Sequence, residues 1–457
     1  MARAGVEAVS KQRMQYRGLR GWLEQVDKMG ELRKVDGAHW DVEMGAITHM
    51  LTEKSRGAAP AILFDNVPDY PKGFRTLYGQ LSSARRIALT LGLPLEYERK
   101  VDVVQNYHAR MQDLKPLPPR FVNDGPIFEN VVEGDDVDVL KFPVPRHHEL
   151  DTARFIGTAD CVMTQDPDTG WFNLGAYRSQ VYDGKTVGCQ ITEGKHGRIH
   201  RDKYFERGQP MKVVILCGQD PLLFMLSSSP LPEVGEMDIA GGLRGEPIDV
   251  VRGPYTGFPI PADCEIAIEG ETVPGQVKPE GPFGEWMGYY SDDTQARPYV
   301  NVKTILYRND PILTCAPQHK PVDEDRPAQG YRRGGANLAR ARRLWCPGGA
   351  GRVESRSRPR HPFHRGPDSP ALSRPRAAGA AHRLILPGWR LRRQMDGGGR
   401  RGHRCRRPRP GALGDVHALR SPHRYRHHPE GMGLQARPAV PSRQFQQSHP
   451  DRCLHPL

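Results

Sequence analysis

Tyr299-Val-Asn-Val-Lys-Thr-Ile-Leu-Tyr307, closed by the turn formers Asn309-Asp310-Pro311, reads as a β-strand, and it is one of six such runs. The others are Ile156 to Thr164, Val187 to Thr192, Val213 to Cys217, Leu222 to Leu226 and Glu265 to Glu269. Turn signals such as Asp183-Gly184 separate several of them, and helical periodicity is weak throughout. Residues 120–318 therefore read as a β-rich barrel or open sheet.

Upstream the pattern changes. Residues 14–34 show helical periodicity, with Leu19, Trp22, Leu23, Val26 and Met29 on one face and an end near Gly30. Ala61-Ile-Leu-Phe64 before Asp65-Asn66 reads as a buried strand and turn. Ser82 to Leu91 reads as a second amphipathic helix, with Ser82 or Ser83 as N-cap and Gly92 near the C-cap. This makes residues 1–113 an α/β domain. The proline-rich stretch Leu114-Lys-Pro-Leu-Pro-Pro119 links it to the β-rich region.

Downstream the composition breaks. Of the 457 residues, those from Arg326 to Leu457 contain 29 Arg, no Lys and 6 Asp+Glu, whereas the first 325 carry 37 basic and 47 acidic residues. The overall charge of +13 is thus the difference between a mildly acidic globular protein and a strongly basic tail. Stretches such as Arg404-Cys-Arg-Arg-Pro-Arg409 hold too few apolar residues to build a core, so residues 325–457 read as disordered. An RNA-binding arginine-rich tail is one functional reading, but lysine is absent and aromatics are too sparse to interleave with the basic residues. A shifted reading frame accounts for the tail better. Read one base forward, Met395 to Cys405 permits W-T-V-V-V-D-E-D-I-D, a strand and turn, and comparable patterns return after Asp325 and after Pro441. The expectation is a frameshift near Asp323–Asp325 that replaced a genuine C-terminal domain.

The N-terminus lacks an apolar run of signal-peptide type, and no stretch approaches the roughly 20 apolar residues of a membrane span. A soluble cytoplasmic protein is expected. The eight cysteines, at 161, 189, 217, 264, 315, 346, 405 and 453, form no CxxC pair and read as structural thiols; Cys217 reads as a small buried hydrophobe.

Two segments carry chemistry. Glu280-Gly-Pro-Phe-Gly-Glu285 places two carboxylates five positions apart across a bend, and Asn173-Leu-Gly-Ala-Tyr-Arg178 supplies an arginine that can hold one of them ionised. A less well-paired Glu285 in an apolar pocket would have a raised pKa, the usual arrangement for acid/base work near neutral pH. The plainer alternative makes both glutamates solvent-facing turn residues in surface salt bridges. Taken alone, His196 likewise reads as a surface histidine in the loop Glu193-Gly-Lys-His-Gly-Arg198, with His200 as a nearby competitor.

In order and spacing, Asn173-x4-Arg178, Lys195-His196, Pro232-Glu-Val-Gly-Glu236-Met-Asp and Glu280-Gly-Pro-Phe-Gly-Glu285 resemble the UbiD-type decarboxylases. Arg85-Arg-Ile-Ala-Leu-Thr-Leu-Gly92 and Leu19-Arg-Gly-Trp-Leu resemble that family's N-terminal domain, so the resemblance runs from about residue 14 to Glu324. It implies a split-barrel flavin-binding fold and a reversible, prenylated-FMN-dependent decarboxylase of aromatic or α,β-unsaturated acids. It also implies that Asn173, His196 and Glu236 hold Mn2+ or Mg2+ on the flavin phosphate, with Lys195 and Arg178 also at the cofactor and K+ as a further ion. One amide oxygen, one imidazole and one carboxylate suit such a cation better than structural zinc. The resemblance further implies an Arg178–Glu280 ion pair with Glu285 as proton donor, a flavin prenyltransferase as cofactor supplier, and homo-oligomers built through C-terminal elements. Phe283 and Trp286 are expected to pack against the turn. An FMN-binding split-barrel oxidoreductase is the other enzymatic reading, although the glutamate pair has no obvious task there.

Overall fold

The structure, a computed structural model, describes residues 14–317 apart from 56–58, 97–99, 113, 230, 232–233, 286–287 and 292–293. The expectations for Trp286 and for everything past Asp325 lie outside the described residues.

The first layer holds helices α1 (Gly18–Lys28), α2 (Glu43–Lys54), α3 (Ala84–Thr90) and α4 (Lys100–Gln112), with strands β1 (Leu32–Asp36), β2 (Ala61–Asp65) and β3 (Arg75–Tyr78). Helix α1 buries Leu19, Trp22, Leu23 and Val26, as its periodicity predicts. It begins at Gly18 rather than near residue 14, and it ends near Gly30 as expected, where φ +71 turns the chain into β1. Burial of such side chains stabilises the fold by about 1.5–3 kcal/mol each. Ser83 caps α3 by accepting the Arg86 N–H at 3.1 Å, as one of the two sequence candidates predicts. The expected amphipathic face is absent there, since Arg86 to Thr90 are all buried.

The second layer contains β4 (Arg120–Phe121), β5 (Asn130–Glu133), β6 (Arg154–Gly157), β7 (Cys161–Gln165), β8 (Phe172–Gly175), β9 (Ser179–Asp183) and β10 (Thr186–Gly188). After helix α5 (His196–Glu206) come β11 (Met211–Cys217), helices α6 (Pro221–Ser227) and α7 (Glu236–Arg244), and strands β12 (Asp249–Arg252) and β13 (Pro259–Pro261). The hairpin of β14 (Ile266–Glu280) and β15 (Gln295–Tyr307) and the short β16 (Ile312–Cys315) complete it. A nine-stranded sheet runs β6-β9-β10-β15-β14-β11-β7-β8, with β5 paired to β15, and β13-β12-β4 form a small third sheet. The large sheet is bent into a half-barrel by register shifts in the β14–β15 hairpin at Glu269/Gly270 and Thr272/Val277. Gly270 has no room for a side chain, because a Cβ there would lie 2.4 Å from the Asn301 carbonyl oxygen. Strand β16 leaves this layer and pairs in parallel with β3, giving the first sheet the order β1-β2-β3-β16.

Strand β11 shows how the core is divided. Val214 and Leu216 pack with α6 and α7, while Val213, Ile215 and Cys217 enter a second apolar cluster on the other face. Burial on both faces explains its continuous apolar run. Cys161, Cys189, Cys217, Cys264 and Cys315 are buried, consistent with structural thiols. No helix among the described residues is long and apolar enough to cross a membrane.

Four strand readings need correction. Leu222 to Leu226 lie in helix α6, nucleated by Pro221 in its first turn and capped by the Asp220 carboxylate on the Leu222 N–H at 2.7 Å. Ile156 to Thr164 is two strands. Val187 to Thr192 keeps strand geometry only to Gly188, and Glu265 to Glu269 is the start of a strand reaching Glu280. Helix α5 went unpredicted because its charged sequence leaves little apolar periodicity; His196 is its first residue rather than a loop residue.

Candidate active site

Strand β8 ends at Gly175, and Ala176-Tyr177-Arg178 carry the chain to β9. Arg178 lies in a one-residue bridge with Gln190. This turn faces the far end of β14, whose last residue is Glu280. Arg178 Nε donates to Glu280 Oε1 at 2.7 Å and Nη1 donates to Glu285 Oε1 at 2.9 Å. The three groups named from sequence therefore meet in one network. Their environments differ: the Glu280 side chain is 5% exposed and that of Glu285 27%. Beneath them the Phe283 ring lies 4.3 Å from the guanidinium and packs on Phe155, with ring centroids 4.5 Å apart. Phe283 thus packs against the turn as expected, and it also supports the arginine. The bend includes a cis Gly281–Pro282 peptide bond.

Arg178, Glu285 and Phe283 line a cavity of about 620 Å³, which also takes in Asn173, Lys195, His196 and Glu236. Glu280 sits behind Arg178 and does not line it. Tyr177 was missed from sequence, yet it ties the second group together. Its hydroxyl accepts the Gly197 N–H at 3.2 Å and the Asn173 Nδ2–H at 3.4 Å, joining β8 to the start of α5. Burial pushes this phenol up to about 12. His196 is packed edge-on against Trp171 at 5.0 Å. His200, the competing histidine, lies outside the cavity: its Nδ1 pairs with Thr164 Oγ1 at 2.9 Å, and burial pushes its imidazole down to about 4.

Glu236 opens α7 and receives the Leu174 N–H at 2.9 Å. Burial pushes its carboxyl up to about 7, and backbone amides only partly offset this. Among the described residues, no three His, Cys, Asp or Glu side chains gather as metal ligands. The set named from sequence has two such groups and an amide. Its chemistry fits a hard cation: oxygen donors predominate, and Glu236, buried without a cationic partner among the described residues, gains from one. The first residues of α5 and α7 both line the cavity, so two helix N-termini offer partial positive charge to an anion there. Asp160, also missed from sequence, lines the cavity while bonded to Ser179 Oγ at 2.9 Å, and burial pushes it up to about 7.

Two family profiles match the chain. The 3-octaprenyl-4-hydroxybenzoate carboxy-lyase N-terminal domain covers residues 23–102, and the Rift-related domain of the same carboxy-lyase covers 120–321. The chain belongs to the UbiD family. Pyrrole-2-carboxylic acid decarboxylase of Pseudomonas aeruginosa is 34% identical over 318 residues, which is 67% of this chain and 62% of that protein. The chain thus spans less than two thirds of the length of this UbiD relative. Vanillic acid decarboxylase of Sedimentibacter hydroxybenzoicus in its closed form superposes with TM-score 0.63 at 27% identity, covering 68% of this chain and 66% of that one. A dimeric form of the UbiD-class enzyme HmfF from Pelotomaculum thermopropionicum, in complex with prFMN, gives TM-score 0.62 at 26% identity over 71% of this chain and 73% of that one. The expected α/β layer followed by a split barrel is the UbiD fold.

Proposed function

We propose that this chain carries the catalytic floor of a reversible, non-oxidative decarboxylase of an aromatic or α,β-unsaturated carboxylic acid. The reading is supported by relatives named as decarboxylases of pyrrole-2-carboxylic and vanillic acids and by one solved with prFMN. The observation that carries it is Arg178 bridging a buried Glu280 and a partly exposed Glu285 at one cavity wall.

Asn173, His196 and Glu236 would hold Mn2+ or Mg2+, and with it the phosphate of prenylated FMN, between the N-termini of α5 and α7; K+ would accompany them. When bound, the prenylated flavin supplies an electron sink for the pair released as the bond to CO2 breaks. The chain's own residues manage the proton. Arg178 is always cationic and is paired with Glu280 at 2.7 Å. Glu285 shares that cation and reaches the cavity, so it can deliver a proton to the carbon that lost CO2 and take one back in the reverse direction.

The cofactor would come from a flavin prenyltransferase, and the active form would be a cytoplasmic homo-oligomer. Residues past Asp325 would derive from the shifted frame, a reading supported by the 62% span of the bacterial relative. A coding sequence with no insertion or deletion near codons 323–325 would overturn that part. For the chemistry, the frame-corrected protein is co-expressed with a flavin prenyltransferase and assayed for CO2 release and exchange on aromatic and enoic acids. Glu285→Gln and Arg178→Ala should each lower turnover by about 10²–10⁴-fold. Full activity in either variant refutes the assigned roles. The uncorrected chain should show little turnover.

A further inference from the structure

The turn that carries Glu285 is gripped from outside the cavity by residues 146–152, a segment the proposed chemistry leaves without a task. Asp151 Oδ1 accepts the Gly284 N–H at 2.9 Å, and Thr152 Oγ1 donates to the Gly281 carbonyl at 2.9 Å. From β9, Gln180 Oε1 accepts the Gly281 N–H at 3.2 Å. The other oxygen of Asp151 accepts the His148 N–H at 3.0 Å and lies 3.2 Å from His148 Nδ1. That ring packs so closely on the turn that a Cβ at Gly284 would sit 2.5 Å from its Nδ1. Gly284 also bridges to Tyr290, whose hydroxyl accepts the Leu150 N–H at 3.3 Å. The gripping segment is itself anchored, since Arg146 Nε donates to Asp41 Oδ1 at 2.5 Å.

The electrostatics agree with this geometry. Burial alone would push the Asp151 carboxyl up. His148, His147 and the Gly284 amide outweigh it and hold Asp151 below the usual carboxylate range, so the acceptor on Gly284 is an anion. Glu285 is joined to Gly284 by the next peptide unit, and its own N–H is bonded to the Tyr289 carbonyl at 2.8 Å. With both neighbouring peptides fixed, movement of Gly284 passes directly to the Glu285 side chain.

We propose that Asp151 and His148 form a positioning pair for Glu285, setting its contact with Arg178 without themselves touching a ligand. The value of that contact rests on the decarboxylase reading; the grip does not, and it can be measured without turnover. Amide exchange is followed by mass spectrometry on the full chain and on Asp151→Ala, Asp151→Asn and Thr152→Val. Loss of a charge-assisted hydrogen bond should accelerate exchange in residues 278–290 of Asp151→Ala by roughly tenfold or more. Residues 266–275 of the same strand should be unaffected. Asp151→Asn, which keeps an oxygen for the Gly284 N–H, should retain most of the protection. Rotation of the Arg178 guanidinium, slowed by its two carboxylates and read by 15N NMR, should quicken in Asp151→Ala and stay slow in Asp151→Asn. Unchanged exchange or rotation in Asp151→Ala, acceleration spread evenly along β14 and β15, or failure of Asp151→Asn to rescue would each overturn the proposal. Should Asp151→Ala not fold, Thr152→Val carries the test, because Thr152 is exposed; unchanged exchange at 278–290 in that variant overturns it.

Discussion

Glu236 and Glu280 are buried to the same depth, each 4% exposed, but Glu236 lines the cavity while Glu280 sits behind its Arg178 wall. Glu280 has a guanidinium at 2.7 Å, whereas Glu236 has backbone amides and, among the described residues, no cation. A buried carboxylate with its counter-charge supplied by the chain belongs to a framework that is complete in itself. One without a counter-charge marks where the chain gains by binding a cation. The difference fits the proposed division of labour, with the Glu280 end as permanent architecture and the Glu236 end as the ligand holder.

Substitution at each end can break this contrast. Glu280→Gln should have the largest effect, a loss of about 3 kcal/mol in chemical denaturation, because Arg178, 14% exposed, would keep only the partly exposed Glu285 as counter-ion. A loss below about 1 kcal/mol would mean that the pair is not a fixed element. Glu236→Gln should instead leave the cofactor-free protein within about 1 kcal/mol of the parent or more stable, while abolishing the rise in melting temperature on adding Mn2+. If Glu236→Gln still responds to Mn2+, the cation binds elsewhere.

Asp160 sharpens the comparison, being another buried carboxyl that lines the cavity, with no cation beside it among the described residues. Its folded value of about 7 lies above the ordinary 3.8, so its contribution to stability is fully present below about pH 3.8 and lost as pH rises through 7. Asp160→Asn removes that slope. The melting-temperature difference between Asp160→Asn and the parent should grow in the variant's favour from pH 4 to 7 and level off above it. A pH-independent difference would show that Asp160 does not titrate there.

Much of this was legible from sequence, and what was missed shares a cause. Strand β11 and helix α1 were readable because one has a short apolar run and the other a 3.6-residue period. Helix α6 was misread because Pro221 to Ser227 are buried all round, which erases any period; the Asp220-Pro221 cap was the better signal. The carboxylate network could be anticipated because Glu280, Glu285 and Arg178 are chemically conspicuous in turn-rich segments. Tyr177, Asp160 and Asp151 act through neighbours brought from up to 133 positions away, as the Asp151–Gly284 bond shows. No local pattern records such partners, although the spacing of His148 and Asp151 was available as a hint.

Strand β16 gives the molecule an order of assembly during synthesis. The edge strand β3 is made by residue 78, but its partner β16 emerges only with residues 312–315. Until then the first layer leaves the ribosome with an unpaired strand edge, open to wrong partners. The whole half-barrel must be translated before that edge is sealed. The proposed change of frame at Asp323–Asp325 falls just past Cys315, so a ribosome reaching it has already made every strand described in the three sheets.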